Sequence, residues 1–350
     1  MNKACIVILT VILITGCEKS DFGFFRKNSG IAFISKRTPD SPEWSLMSMN
    51  FDGSEQKEIT SLSTRCQKPV VSNSGKMLLF VHLSEDFFYE LYSVNIDGSN
   101  LFLIDRADRY CGLADWSNDD SKIIYSKNRD ESTDEKQLIL YDFFSKEKKV
   151  MASEGDNSCA TFSAGNKIAW CRRTSSGCDI YVMDINGNNK KAIVSDAWNP
   201  VWSPDGKRII YQSAIENGSS QIFIANADGS DKKQLTSSWS SRIWPGWPPD
   251  GNGEPVWTPD GKLIIYVSWE DEDPDIYSMK PDGNGKRKLT DTDKRDENPV
   301  VTRDGKYILF TSKRNPAMNA EIFVMTRDGK NQKPITNHYS SDIYPVEINF

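Results

Sequence analysis

The chain has 350 residues, of which 38% are hydrophobic and 26% charged, a composition typical of a folded globular protein and not of a disordered one. Its formal net charge of −6 argues against nucleic acid as a partner, because binding to phosphates needs a surplus of Lys and Arg on one face. Aromatic residues make up 11% of the chain, with 10 Trp, which suits sheets packed face to face.

The N-terminal residues have the pattern of a targeting segment. Lys3 precedes an apolar stretch, residues 6–14, which is shorter than the roughly 20 residues of a membrane-spanning helix. Residues 13–17 read Leu-Ile-Thr-Gly-Cys, which resembles the lipobox of bacterial lipoproteins. The resemblance implies that residues 1–16 are removed as a signal peptide, that Cys17 carries diacylglycerol, and that residues 17–29 are a lipidated linker. An uncleaved N-terminal helix is the alternative.

The implied location is the periplasmic side of a bacterial cell envelope, with the lipid inserted in a membrane. Several acyl chains on one cysteine give stable anchoring. Residue 18 is Glu, not the Asp that resembles an inner-membrane retention signal in some Gram-negative bacteria. This residue favours the outer membrane.

A repeated motif dominates the rest of the chain. Residues 199–207 read Asn-Pro-Val-Trp-Ser-Pro-Asp-Gly-Lys, and similar segments occupy 254–262 and 298–306, with weaker copies beginning at Pro69, Ala114 and Ala160. Each copy is followed by an apolar run, a polar loop and an alternating run, and most then have an Asp-Gly or Asn-Gly dipeptide, a strong hairpin signal. The repeat therefore predicts four short strands in roughly 40–45 residues, the size of a propeller blade.

Six full repeats and two partial ones can be counted. Residues 31–60 supply three strands without the first, and residues 344–348 supply a lone copy of that first strand. We predict that the two chain ends share one blade, because this closure removes free sheet edges. The predicted fold is an all-β, seven-bladed propeller over residues 30–350, with six or eight blades as alternatives.

Cysteine spacing offers no metal or redox motif. No pair has the Cys-x-x-Cys spacing of zinc or thioredoxin-type sites, and we predict neither a metal nor a cofactor. Cys171 and Cys178 flank a hairpin, where a cross-strand disulfide is plausible. Cys66 and Cys111 lie at matching places in consecutive repeats and are another candidate pair. Five cysteines follow Cys17, so at least one thiol stays free or pairs between molecules.

One irregular segment, residues 239–253, is inserted between two well-formed repeats. It is rich in Trp, Pro and Gly, and its candidate partner-binding residues are Trp239, Arg242, Trp244 and Trp247. Trp and Arg are enriched among residues that dominate binding energy at interfaces, and Trp also stacks on sugars. The alternative is that these Trp side chains cover an exposed end of the propeller core.

Two further patterns are expected to be structural. One aligned position holds Val71, Trp116, Phe162, Trp202, Trp257 and Val301. Recurrence once per repeat favours packing between blades over ligand binding. The acidic residues 270–273 with Asp275 lack the alternating spacing of an EF-hand, so we expect a solvated loop and not a Ca²⁺ site.

The Pro-x-Trp-Ser-Pro-Asp-Gly-Lys element, followed by a β-rich run and an Asp-Gly turn, resembles the WD-like repeat of TolB-type propellers. Propeller domains of prolyl oligopeptidases are similar. The resemblance implies a propeller of the cell envelope and specifies the fold better than the function. TolB itself has an α/β domain before its propeller, whereas here only residues 18–29 lie between the lipidation site and the first strand.

The sequence gives little support for catalysis. Only two histidines are present: His82 lies in an apolar strand run and His338 in a loop. No Gly-x-Ser-x-Gly, P-loop or His-Glu-x-x-His motif occurs. We therefore expect a non-enzymatic envelope lipoprotein that binds a protein or glycan partner through its propeller. The alternative is a hydrolase or lyase that acts on oligosaccharides or peptides in the propeller channel.

Overall fold

A computed structural model describes residues 29–350 except 38–42, 65–67, 131–132, 176, 216–218, 238–251, 271–272 and 317–318, and the side chain of residue 113. These residues form seven four-stranded antiparallel sheets that ring a common axis, which confirms the predicted seven-bladed propeller. Within them, no helix is long and apolar enough to cross a membrane.

The blades are numbered in chain order, and the strands of each are given from the channel outward. Blade 1 consists of β28 (Asp342–Asn349), β1 (Ser29–Ser35), β2 (Ser45–Asn50) and β3 (Lys57–Glu58). Blade 2 consists of β4 (Val70–Val71), β5 (Met77–Leu83), β6 (Tyr89–Asn95) and β7 (Phe102–Ala107). Blade 3 consists of β8 (Cys111–Trp116), β9 (Lys122–Asn128), β10 (Lys136–Asp142) and β11 (Lys148–Ala152). Blades 4 and 5 consist of β12 (Asp156–Phe162), β13 (Lys167–Thr174), β14 (Gly177–Asp184) and β15 (Lys191–Val194); and β16 (Ala197–Trp202), β17 (Arg208–Ala214), β18 (Ser220–Asn226) and β19 (Lys233–Gln234). Blades 6 and 7 consist of β20 (Asn252–Trp257), β21 (Ile264–Ser268), β22 (Asp275–Met279) and β23 (Arg287–Lys288); and β24 (Asp296–Val301), β25 (Tyr307–Ser312), β26 (Glu321–Thr326) and β27 (Lys333–Pro334).

Blade 1 is built from both ends of the described chain. Strand β28 pairs antiparallel with β1 in a register that sets Ser29 opposite Asn349 and Ser35 opposite Asp342. The Ser35 hydroxyl donates to Asp342 Oδ1 at 2.5 Å. The predicted closure of the ring by N- and C-terminal strands is therefore confirmed.

The repeated Ser-Pro-Asp-Gly element forms the turn between the first and second strands of a blade. In blade 5, Asp205 Oδ1 accepts the Ser203 hydroxyl at 2.5 Å and the Lys207 backbone N–H at 3.1 Å. The Asp-Gly dipeptides form the turn between the third and fourth strands. Because strands alternate in direction, both kinds of turn lie at one end of the propeller, called here the turn end, and the other connections lie at the loop end.

The recurring aromatic position packs between blades. Trp116, Trp202 and Trp257 are buried. Their indole N–H groups donate to backbone carbonyls of the preceding blade, those of residues 70, 161 and 201, at 3.2, 3.3 and 3.4 Å. The prediction that this position serves inter-blade packing is confirmed.

One expectation for the acidic segment is wrong. Asp275 does not lie in a solvated loop but begins β22, where it is buried. Its carboxylate accepts the Thr290 hydroxyl at 2.9 Å and is 3.0 Å from Lys288 Nζ. Burial at the start of a strand depends on the fourth strand folding back over it, which the local sequence did not reveal.

Candidate functional site in the central channel

The inner strands share a backbone irregularity that turns one side chain out of the normal alternation. Each of β12, β16, β20 and β24 has a register shift against its neighbour, and a residue there has a positive φ: Cys159, Asn199, Glu254 and Asn298, with φ between 49° and 56°. Such β-bulges re-aim side chains and are common near functional sites. In most copies the next residue is Pro, which lacks an N–H to pair and so suits a bulge.

Lys68 holds the same place in the blade 2 repeat, directly before Pro69. Lys68 and Glu254 belong to blades 2 and 6, which lie on different sides of the ring. Glu254 nevertheless acts electrostatically on Lys68, and Lys68 on Glu254. This mutual effect across the ring indicates that both side chains face the central channel.

A cavity of about 360 Å³ opens beside Lys68. Its polar lining comes from Lys68, Asp115, Cys159, Thr161 and Asn199 on the inner edges of blades 2 to 5. Its apolar lining is formed by Val70, Leu79, Phe80, Val81, Leu91, Ala114, Ala160, Pro200 and Val201. Small-molecule sites typically combine a mainly apolar wall with a few polar groups in this way.

Lys68 is the positively charged residue among the described residues that line this cavity. Burial lowers the pKa of Lys68, and Glu254 opposes that shift. The side chain is exposed to the channel, and among the described residues no hydrogen bond or salt bridge involves its ammonium group. An ammonium group inside the channel without a hydrogen-bond or salt-bridge partner favours an anionic ligand, because it is already partly desolvated.

The carboxylates of the channel are engaged by the protein itself. Asp115 Oδ2 accepts the Phe162 N–H at 2.7 Å and the Thr161 hydroxyl at 3.0 Å, which ties blade 3 to blade 4. Burial nevertheless raises the pKa of Asp115 to about 6. Glu254 accepts the backbone N–H of Asn298 at 2.6 Å and its side-chain amide at 3.0 Å. Burial raises the pKa of Glu254 as well.

A group of cysteines adjoins the cavity. Cys171 and Cys178 form a disulfide between β13 and β14, and Trp198 packs on it. Cys159 also packs against this cluster, and its thiol is free. Burial raises the pKa of Cys159, so the thiol is protonated at neutral pH. Cys111 is a buried free thiol, and its alternative partner Cys66 lies outside the described residues.

The two histidines take no part in the channel cavity. His82 Nδ1 lies 2.6 Å from the Ser63 carbonyl oxygen, and the backbone N–H of His338 donates to Glu321 at 2.9 Å. Neither lines the cavity. The described part of the chain contains no cluster of three or more His, Cys, Asp or Glu side chains placed to hold a metal ion.

The channel residues are not among the site residues predicted from the sequence. Trp239, Arg242, Trp244, Trp247 and Cys17 all lie outside the described residues. The missed residues Lys68, Asn199, Glu254 and Asn298 share a sequence signal: each directly precedes Pro in its repeat. Because these residues occupy the same position in successive repeats, a closed propeller places them around the central channel.

Residues 82–253 match the family model described as TolB beta propeller domain. An uncharacterized protein of Agrobacterium fabrum is 31% identical over 143 residues, which are 41% of this chain and 44% of that protein. The chain thus matches less than half the length of this curated relative.

Solved structures share the architecture at low sequence identity. TolB from Acinetobacter baumannii superimposes with a TM-score of 0.56 at 18% identity, over 91% of this chain and 82% of that one. An oligogalacturonate lyase in complex with manganese gives 0.60 at 16% identity, over 89% and 86%. At these identities the likenesses show the fold alone.

Proposed function

We propose that this chain, whose residues 82–253 match the TolB beta propeller family model, works as a binding scaffold of the bacterial cell envelope, held to a membrane by lipid on Cys17. The TolB-like family supports an envelope location and a binding role. The lipobox-like residues 13–17 support the anchor, which is expected in the outer membrane, facing the periplasm.

The observation that carries the binding role is the ammonium of Lys68 beside the apolar cavity, which has no hydrogen bond or salt bridge among the described residues. The two nearby carboxylates hold blades together: Asp115 is bonded to blade 4, and Glu254 to blade 7. A ligand that pairs an anionic group with an apolar portion complements this arrangement. An extended peptide segment with a carboxylate and an acidic sugar both satisfy that description.

The test is recovery of the partner from intact envelopes by cross-linking, affinity purification and mass spectrometry. Lys68→Met keeps the length of the side chain and removes the charge. We expect it to lower the recovered partner about tenfold, since a hydrogen bond to a charged group contributes about 1.5–3 kcal/mol. Lys306→Met is the matched control, because Lys306 is an exposed lysine on a turn.

Equal recovery with Lys68→Met and Lys306→Met would reject the channel as the binding site. Deletion of residues 239–253 then tests the other proposed contact, made by Trp239, Arg242, Trp244 and Trp247. Loss of the partner only on that deletion would move the site to this insertion. No protein partner with any form of the chain would direct the search to a glycan array.

The second candidate function is catalytic, because the fold is similar to that of an oligogalacturonate lyase. Asp115, with a pKa of about 6, lines the same cavity as Lys68 and could exchange a proton near neutral pH. Incubation with oligogalacturonates, with and without Mn²⁺, tests this candidate by the ultraviolet absorbance of unsaturated products. Turnover abolished by Asp115→Asn would establish an enzyme, and no turnover in any condition would remove this candidate.

A further inference from the structure

The outer edges of blades 2 and 3 carry a cluster of exposed apolar side chains. This cluster, called here the apolar rim, consists of Leu101, Phe102, Leu103, Phe144 and Val150. Phe144 is 96% exposed and Val150 52%. Soluble proteins seldom leave several large apolar side chains grouped on their surface without a binding role.

The rim residues of blade 2, 101–103, adjoin those of blade 3, Phe144 and Val150, across the blade boundary. Lys146, in the turn between β10 and β11, places its Nζ 4.9 Å from the centre of the Phe102 ring. Phe102 pairs in register with Ser93, near the end of β6, so the rim lies at the turn end of the propeller.

Lysines surround the apolar rim. The exposed members are Lys146, Lys148, Lys149 and Lys190. Lys149 Nζ donates to the Asn186 carbonyl at 2.7 Å and Lys190 Nζ to the Met151 carbonyl at 2.8 Å, which draws the blade 4 turn against blade 3. Carbonyl partners leave both charges uncompensated.

Nearby acidic groups neutralise only part of this charge. Asp105 is shared by Lys127 and Lys148, and Asp142 pairs with Lys122. Glu147 within the turn and Asp97 and Asp184 in the neighbouring turns are further acids of this region. Among the described residues Lys146, Lys149 and Lys190 have no salt bridge, so the rim keeps unpaired positive charge although the whole chain carries a net charge of −6.

The loop end also carries acidic residues. The described loops between second and third strands contain Glu85, Asp86, Asp130, Asp134, Glu135, Glu270 and Asp273. A negative surface would repel these loops.

The chain also enters the propeller at the turn end. Ser29, the first residue of β1, lies opposite Asn349, whose N–H donates to the Gly75 carbonyl at 2.9 Å in the turn between β4 and β5. Cys17 precedes Ser29 by 12 residues, a distance of at most ~40 Å along the chain at ~3.3–3.6 Å per residue. A lipid on Cys17 would keep this end near the bilayer.

We propose that the apolar rim and its lysines dock on an anionic lipid bilayer. Aromatic and aliphatic side chains enter the interface between headgroups and acyl chains, and each lysine is attracted to an anionic surface. This docking turns the loop end, with its acidic loops, away from the membrane toward partners. The inference relies on the proposed function only for the presence of a membrane.

Co-sedimentation with vesicles tests this docking without lipidation. The full chain carries Cys17→Ser in every sample, so any contribution of residues 6–14 is constant. Vesicles of phosphatidylcholine mixed with phosphatidylglycerol are compared with phosphatidylcholine alone. We expect binding to the mixed vesicles, weaker binding to the neutral ones, and loss of the difference at high salt because salt screens charge.

Two double substitutions separate the apolar and charged contributions. Phe102→Glu with Phe144→Glu is expected to weaken binding about tenfold or more. Lys146→Glu with Lys149→Glu is expected to weaken it by at least about fivefold per lysine. Phe87→Glu is the matched control, because Phe87 is also an exposed Phe, 75% accessible, and lies in the loop between β5 and β6 at the loop end.

Three results would overturn the inference: no preference for phosphatidylglycerol, unchanged binding by the Phe102/Phe144 variant, or an equal loss with Phe87→Glu. If the rim binds a protein and not lipid, the Phe102/Phe144 variant would bind vesicles as well as the unsubstituted rim does. Labelling of the unsubstituted chain with a fatty-acid analogue tests the anchor separately. Label on Cys17 without rim-dependent binding rejects the docking alone, and rim-dependent binding without label rejects the anchor alone.

Discussion

The carboxylate of Asp115 accepts the backbone N–H of Phe162 at 2.7 Å across the boundary between blades 3 and 4. Asp115 also accepts its neighbour's N–H, that of Trp116, at 2.9 Å. These bonds favour the charged form, yet burial outweighs them and raises the pKa to about 6. The inter-blade contact is therefore sensitive to pH near neutrality.

We expect the free energy of unfolding to fall as pH rises from 4 to 7, in part through Asp115. Its folded pKa lies above the ordinary value of 3.8, so the folded state binds the proton more tightly, and this contribution to stability is full below pH ~4 and lost through pH ~6. A single group gives a slope of at most about 1.4 kcal/mol per pH unit. Urea unfolding at several pH values measures it.

Asp115→Asn should make the stability of the protein less dependent on pH over that range. Glu297 and Glu321 also have raised pKa values caused by burial, so a residual slope of the same sign is expected. Identical slopes for the parent and the variant would show that Asp115 titrates normally.

The disulfide of Cys171 and Cys178 is expected to stabilise blade 4. The two cysteines lie on paired strands, seven residues apart in sequence. Replacing both with Ser should lower the free energy of unfolding by about 2 kcal/mol, because the bond restricts the unfolded chain over a short loop. A reductant should destabilise the parent chain and leave the double variant unchanged; reductant sensitivity in both would point to another bond.

Gly98 is expected to tolerate no side chain. Its φ is 86°, and a Cβ there would lie 2.5 Å from the Ile59 carbonyl oxygen of the preceding blade. Gly98→Ala should cost about 1–3 kcal/mol through backbone strain and the clash. Gly165→Ala is the control, since a Cβ at Gly165 meets only the Ser163 hydroxyl at 3.9 Å. Thermal unfolding of both variants tests this expectation. Equal losses of stability in the two variants would count against a close approach of Gly98 to the Ile59 carbonyl.

Ile348 on the closing strand is expected to contribute strongly to stability. It is fully buried and packs with Leu78 and Val94 of blade 2. Ile348→Ala should cost about 3 kcal/mol and Ile348→Val about 1 kcal/mol, because the cavity grows with each carbon removed. If denaturant unfolding detects less than about 1 kcal/mol for Ile348→Ala, the C-terminal strand does not close the ring.

The sequence by itself determined the number of blades and the positions of their turns. Ser203 to Gly206 and Asp97-Gly98 act through bonds and φ angles within a few residues, so their chemistry can be read locally. The blade period follows from repetition of these turns. The pairing of β1 with β28 was also predictable, because the N-terminal repeat lacks the first strand of a blade and the C-terminal residues supply it.

Only the tertiary structure decided which side chains meet. Lys68 and Glu254 are 186 residues apart, and their approach across the channel depends on ring closure and on a bulge that turns Glu254 inward. The burial of Asp275 likewise depends on Lys288 and Thr290 from the next strand. A repeat specifies each blade through contacts close in sequence, whereas the channel and the apolar rim arise where separate blades meet, and no local pattern encodes those distances.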